Sequence, residues 1–195
     1  MEVFILYKFG FDIDGVLTNE GNNKNNIWYK YFIDHFGEKA KKISNSYDFR
    51  KAYDLPDSVI EDFLAKNKEK IFSSVPPYQE AIDLLTKLKS IGHKIILITA
   101  RHEEYRRITE SWLNKYNIPY DKLYHEEDKA PLALNEDLKL FIDDHKDNVR
   151  EIKSAGIPAL LFTRDHNLEA SEDEYTARVN DWQDIKEYIN NYYLR

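Results

Sequence analysis

The chain has 195 residues, 42% of them hydrophobic, which is enough for one buried core plus an insertion but cramped for two full domains. Its formal charge is −7, and lysines and arginines are interspersed among the acids rather than gathered in a tract, which argues against a polymeric nucleic acid as partner. Cysteine is absent, so disulfides, thiolate nucleophiles and cysteine-held zinc or iron–sulfur centres are excluded, and any metal must be held by oxygen or imidazole.

In chain order, the first apolar stretch, Val3 to Tyr7, is too short to span a membrane and lacks the basic leader of a signal peptide; a cytoplasmic protein with no membrane partner is expected. The apolar runs Lys8 to Ile13, Lys94 to Ile98, Lys139 to Ile142 and Ala159 to Phe162 read as strands, and amphipathic helical patterns connect them. Ala81, Leu84, Leu85, Leu88 and Ile91 share one helical face that stops at Gly92. Tyr105, Ile108, Trp112 and Tyr116 form another, ending before Pro119, and a third around Val149 and Ile152 stops at Gly156. A closing helix is expected over Trp182 to Tyr193. This alternation predicts an α/β fold: a doubly wound, mostly parallel, Rossmann-like sheet with helices on both faces.

Residues 19–75 contain helical stretches rich in aromatics but no strand pattern. A crossover needs only about a dozen residues plus its helix, so the excess predicts a small helical cap inserted into a core made of residues 1–18 and 76–195. Pro56 to Leu64 starts as a helix should, with proline and acids in its first turn, and the asparagine-rich Gly21 to Asn26 reads as a loop or hinge.

The sharpest local feature is Phe11-Asp12-Ile13-Asp14-Gly15-Val16-Leu17-Thr18, at the end of an apolar run. In an extended segment residues two apart point the same way, so Asp12 and Asp14 are expected to face one small volume where Gly15 lets the chain turn. A calcium loop is ruled out, because Val16, Leu17 and Asn23 stand where its fifth, sixth and twelfth positions need an oxygen ligand, glycine and glutamate. A second acidic pair, Asp143 and Asp144, closes the run Leu140 to Ile142, with Asp147 and Asn148 just beyond. Parallel strands that end in carboxylates form a hard-oxygen site suited to Mg²⁺, although one of these acids would serve equally as a helix N-cap. Thr99 ends a third strand at the same edge, and with the backbone N–H of Ala100 at the start of the following helix it would cradle a phosphate. No histidine pair has ligand spacing; His125 and His145 read as loop residues.

These residues in this order resemble the four motifs of the haloacid dehalogenase superfamily: Asp12-Xaa-Asp14-Gly15-Val16-Leu17-Thr18, then Thr99-Ala100-Arg101, then Lys129, then Asp143-Asp144. The second aspartate of the first motif is a mark of the phosphatase branches. The resemblance implies Asp12 as a nucleophile that forms an aspartyl phosphate and also binds Mg²⁺, and Asp14 as general acid/base whose backbone carbonyl reaches the metal. It further implies that Thr99 binds phosphate, that Lys129 orients and neutralises nucleophile and phosphate, and that Asp144 with Asp143 completes the metal site. A carboxylate attacking a phosphoryl group meets like-charge repulsion that a metal and a lysine would offset. Lys122 lies in the same interval as Lys129, which is preferred by its distance from the acidic pair. Arg101 either helps hold the phosphate or sits in the first helical turn.

A closer similarity is to the small 5'(3')-deoxyribonucleotidase-like and bacterial nucleotidase branch. It rests on Ile98 to Arg101, the Trp112 helix followed by Asn117-Ile118-Pro119-Tyr120, the Asp144 to Asn148 spacing, Gly156-Ile157-Pro158 with the strand to Phe162, and Val179 to Trp182. It implies a Mg²⁺-dependent phosphomonoester hydrolase acting on a small phosphorylated substrate, a nucleoside monophosphate first. A sugar phosphate is the alternative, and a non-catalytic binding protein on the same fold is disfavoured because binding alone would not need Asp14. The rings Trp28, Tyr29, Tyr31, Phe32, Tyr47, Phe49 and Tyr53 are expected to pack the cap and, in part, to face the substrate.

Overall fold

The computed structural model describes residues 5–194, so Val3 and Phe4 of the first apolar stretch lie outside the described residues. Strand β1 (Lys8–Phe11) sits inside a six-stranded sheet between β2 (Lys94–Thr99) and β4 (Leu140–Asp143). The order is β3-β2-β1-β4-β5-β6, with β3 at Lys122–His125, β5 at Ala159–Phe162 and β6 at Ala177–Val179, and every pairing is parallel. This is the doubly wound α/β fold expected from the alternating pattern, wholly rather than mostly parallel. β3 and β6 were not expected. Their sequences, Lys-Leu-Tyr-His and Ala-Arg-Val, carry no apolar run, because edge strands are only half covered and tolerate polar side chains.

Alternate side chains of the central strands go to opposite faces. Phe9, Phe11, Ile95, Leu97, Leu140 and Ile142 pack with α4 (Gln79–Ser90), α5 (Arg106–Lys115) and α8 (Trp182–Tyr193) through Leu84, Leu85, Leu88, Trp112, Leu113, Trp182, Ile185 and Ile189. Ile96, Ile98, Phe141 and Leu161 pack on the other side with α6 (Lys129–Asn135) and α7 (Lys146–Ser154) through Ala133, Val149 and Ile152. Ile91, assigned from the sequence to the buried face of α4, is exposed because the helix ends at Ser90 and Gly92 turns the chain away. In α5 the fully buried positions are Thr109, Trp112 and Leu113, with Ile108 only half-buried.

Between β1 and α4 the chain forms α1 (Ile27–Phe36), α2 (Phe49–Ala52) and the long α3 (Asp57–Ser74). The Asn26 side chain caps α1 by accepting from the Tyr29 N–H, and Asp48 caps α2 by accepting from Arg50. These helices have a hydrophobic cluster of their own, Phe32, Ala52, Tyr53, Ile60 and Phe63, in which the Phe32 ring lies 4.3 Å from that of Tyr53 and nearly parallel to it. The Trp112 indole donates to the Val75 carbonyl at 2.6 Å, fastening the end of α3 to α5.

Gly10 occupies the face of β1 opposite Phe9 and Phe11, where a Cβ would overlap the Phe141 ring and the Leu138 methyl. Overpacking of this kind costs about 1–3 kcal/mol. Gly10→Ala is therefore expected to lower the urea midpoint with an unchanged m value, and an unaltered midpoint would show that the sheet centre has room to spare.

Candidate active site

The chain runs outward from β1 through β2 to β3 and resumes at β4, so the direction of winding reverses between β1 and β4. Crevices beyond the carboxyl ends of strands at such a reversal are where this class of sheet binds ligands. The acids singled out from the sequence lie there: Asp12 one residue past β1, Asp143 at the last position of β4, and Asp144 after it. Asp12, Asp143 and Asp144 each offer a carboxylate oxygen within 4.8 Å of the others, and all three residues are buried.

Lys129, at the start of α6, reaches into this group. Its ammonium donates to Asp12 Oδ1 at 2.5 Å and to Asp143 Oδ2 at 2.7 Å, and the lysine is 2% exposed. Burial pulls Lys129 down, but Asp12 and Asp143 outweigh it and hold the amine above the ordinary lysine range. Burial pushes Asp12 up to about 7, against the pull of Lys129 and with Asp143 and Asp14 adding to the rise; Asp144 is raised by burial and then by Asp143 and Asp12. Asp143 is satisfied on every side, its Oδ1 accepting from the His145 backbone at 2.8 Å and its Oδ2 also from Asn148 at 3.0 Å. Asp12 Oδ2 takes no hydrogen bond from the described residues. Three carboxylates against one ammonium leave two negative charges in a dry volume when the acids are ionised, and the all-oxygen donor set fits a hard divalent cation. No histidine joins this cluster among the described residues.

Gly15 makes the geometry possible. Its φ is +73°, and a Cβ there would collide with the Asp144 carboxylate. Thr18 locks the turn, accepting from the Gly15 N–H at 2.8 Å while its own N–H donates to the Ile13 carbonyl.

Asp14 departs from the expectation that it shares a volume with Asp12. β1 ends at Phe11, so the two-residue alternation of a strand does not extend to position 14. Its carboxylate is instead gripped by Arg101, whose Nε and Nη2 donate to its two oxygens at 2.8 and 2.6 Å. It therefore stands outside the carboxylate cluster. Arg101 is buried, its guanidinium 4.0 Å from the Phe72 ring of α3, and it is not in a helical turn: α5 begins only at Arg106. Ala100 for the same reason lies in a loop rather than at a helix start. Thr99 is buried at the end of β2, its hydroxyl accepting from the Arg101 N–H at 3.2 Å. Lys122 stands at the opposite end of β3 from this edge, bound to Glu136 at 2.8 Å.

Three residues at the site were not found in the sequence. Arg164, two residues past β5, donates to the Gly15 carbonyl and to the Tyr78 hydroxyl, and its Nε is buried without a partner. A search for charged residues just beyond each strand end would have found it. His166 Nε2–H donates to the Asp144 carbonyl at 3.0 Å, and burial lowers its pKa to about 4, which keeps it neutral. Glu20 carries no sequence signal. Above these residues opens a cavity of about 580 Å³, with Asp14, Arg101, Asp144, Arg164 and His166 on its floor and Trp28, Tyr29, Tyr47, Phe49, Tyr53, Phe72 and Tyr105 on its walls. Tyr31 and Phe32 do not line it, and Phe32 is fully buried among the neighbouring helices.

The family model for "5' nucleotidase, deoxy (Pyrimidine), cytosolic type C protein" matches residues 6–193. A nucleotidase-type protein of Bacillus subtilis, YqfW, is 30% identical over 190 residues, covering 95% of each chain. A nucleotidase of Clostridium acetobutylicum is 28% identical over 177 residues, covering 89% of this chain and 88% of that one. Among solved structures, a haloacid dehalogenase-like hydrolase of Streptococcus pneumoniae superposes with a TM-score of 0.66 at 15% identity, covering 94% of this chain and 98% of that one. A phosphatase-type protein of Clostridium difficile does so with a TM-score of 0.68 at 18% identity, over 95% and 99%. The strand-end acids, the lysine between them and the sheet that presents them thus agree with the match over nearly the whole chain: this protein belongs to the cytosolic type C 5'-nucleotidase family, on a haloacid dehalogenase-like fold, and is a phosphatase.

Proposed function

We propose that this protein is a cytoplasmic, Mg²⁺-dependent hydrolase of nucleoside monophosphates that works through an aspartyl phosphate on Asp12. The observation that carries the reading is the buried Lys129–Asp12–Asp143 contact beneath a ring-walled cavity. Among the described residues no helix is long and apolar enough to cross a membrane.

Lys129 holds one oxygen of Asp12, which leaves the other to attack an incoming phosphorus. Its attack forms the acyl–phosphate bond as the ester P–O bond breaks, and Asp14 gives its proton to the departing oxygen. Water then attacks the phosphoryl group, Asp14 taking one of its protons as the Asp12 O–P bond breaks, and phosphate leaves with the Asp12 carboxylate restored. Asp12, Asp143, Asp144 and the Asp14 carbonyl would hold Mg²⁺, which when bound offsets the negative charge of nucleophile and phosphate. Thr99, the Ala100 N–H, Arg101 and Lys129 are the phosphate-binding set. Arg101 donates to both oxygens of Asp14 before substrate arrives, which keeps that carboxylate from the leaving oxygen. The substrate phosphate would take over Arg101 and release Asp14 for its proton transfers. We further propose that residues 19–75 act as the cap and residues 1–18 and 76–195 as the core. The nucleotide preference follows from the rings: stacking a base on one is worth about 1–3 kcal/mol, roughly ten- to a hundredfold in kcat/KM.

Asp12→Asn removes both nucleophile and anionic ligand and is expected to lower turnover of an aryl phosphate by several orders of magnitude; retention within about tenfold of the parent would defeat the mechanism.

Mg²⁺ should stabilise the fold, and more so at pH 8 than at pH 5.5. Asp12 and Asp144 have folded pKa values above those of an unfolded chain, so their contribution to metal-free stability is greatest below about 4 and is lost as pH rises, for Asp12 through about 7. Mg²⁺ competes with those protons. At a hundredfold excess over Kd the gain at pH 8 is about 2.7 kcal/mol, or about 5–10 °C in Tm. Thermal melts in Mg²⁺ and in EDTA at both pH values measure it, and a larger shift at pH 5.5 would contradict the assignment.

Trp28→Leu is expected to lower kcat/KM for nucleoside monophosphates about ten- to a hundredfold and to spare a small aryl phosphate. Equal losses on both would make Trp28 a packing residue.

A further inference from the structure

Glu20 is an acid in the cavity that the chemistry above does not use. It is the second residue after Thr18, where the chain leaves the turn locked over Asp12. Its backbone is held on both sides. Asn19 N–H donates to the Pro76 carbonyl at 2.7 Å, the Glu20 carbonyl accepts from Ile27 N–H at 2.8 Å, and the Asn26 side chain donates to the Gly21 carbonyl. The carboxyl is thus presented into the cavity from a rigid point, between Asp14 and Trp28.

No strong partner claims it there. The Thr18 hydroxyl lies 3.4 Å from Oε1, long for a hydrogen bond between oxygens, and the Trp28 indole also reaches it. The two nearby cations are committed elsewhere, Arg101 to Asp14 and Arg164 to the Gly15 carbonyl and Tyr78. Burial, and then the charge of Asp14, push its carboxyl up to about 7, so near neutrality it can both donate and accept a hydrogen bond. A half-buried carboxyl with such weak partners carries a desolvation cost that a polar ligand group would relieve.

The position says which ligand group. Asp14, as the acid for the departing oxygen, faces the ester linkage, and the aromatic wall lies farther into the cap. A carboxyl between the two meets whatever is bonded directly to the ester oxygen, which in a nucleoside monophosphate is the sugar.

We propose that Glu20 is a specificity-determining residue that hydrogen-bonds a hydroxyl of the sugar next to the scissile phosphate. The proposal rests on the nucleotidase reading for the identity of that sugar. Its chemistry requires only a hydroxyl-bearing carbon skeleton on the ester.

The test compares parent, Glu20→Ala and Glu20→Gln on a ribonucleoside 5'-monophosphate, its 2'- and 3'-deoxy analogues, a hexose 6-phosphate and 4-nitrophenyl phosphate. Glu20→Ala should lower kcat/KM on the ribonucleotide about tenfold or more, chiefly through KM, and leave 4-nitrophenyl phosphate within about twofold. Glu20→Gln, which keeps the hydrogen-bonding shape, should recover most of the loss. The deoxy analogue lacking the contacted hydroxyl should be disfavoured by the parent and no longer by Glu20→Ala, a non-additivity that a merely structural residue would not produce. Equal losses on 4-nitrophenyl phosphate and the ribonucleotide would overturn the proposal, as would deoxy penalties identical in parent and both variants. If the parent ignores nucleotides but Glu20→Ala selectively impairs the hexose phosphate, the Glu20 contact stands and the nucleotide reading falls.

Discussion

A single ammonium organises the site. Lys129 is buried with two carboxylates in hydrogen-bonding range, and an uncompensated charge in that position would cost several kcal/mol. Its presence lets Asp12 and Asp143 approach each other at the ends of adjacent strands, where repulsion would otherwise drive one of them to protonate or turn away. The charge it leaves unbalanced is still negative, and that residue of charge suits the crevice to a cation. The pair also spans the place where the winding of the sheet reverses, so this buried ion pair and the topological opening of the fold coincide.

The turn after β1 depends on that arrangement in its backbone. Asp144 needs the space that a side chain at position 15 would fill, and Gly15 provides it while adopting a left-handed conformation. Thr18 and Arg164 then hold the turn from within, one through the Gly15 N–H and the other through its carbonyl. Side chains from positions 18, 144 and 164 therefore converge on the single residue Gly15.

Arg101 links this floor to the helices above it. It binds Asp14 with two hydrogen bonds and lays its guanidinium against Phe72 of α3, which in turn contacts the Trp28 and Tyr105 rings. The planar guanidinium can do both at once because its edge donates hydrogen bonds while its face stacks. The acid proposed for proton transfer and the rings proposed for substrate recognition are thereby parts of one packed chain of contacts.

Much of this was legible in the amino-acid sequence, and for local reasons. The central strands, α4, α7 and α8 announce themselves because burial on one or both faces imposes a hydrophobic period, and Asp12, Thr99, Asp143 and Asp144 stand out as polar residues that end such runs. The edge strands β3 and β6 left no such pattern, since half-covered strands need no apolar run. The partners of the polar residues were decided only by the tertiary structure. Whether Asp14 faces Asp12 or Arg101, whether Lys122 or Lys129 enters the site, and whether Arg164 and Glu20 belong to it at all depend on which strand ends and loops are brought together. A side chain's charge is written in its own position, but the group it meets comes from residues as much as 149 positions away, as with Arg164 and the Gly15 carbonyl, and only the folded chain brings them together.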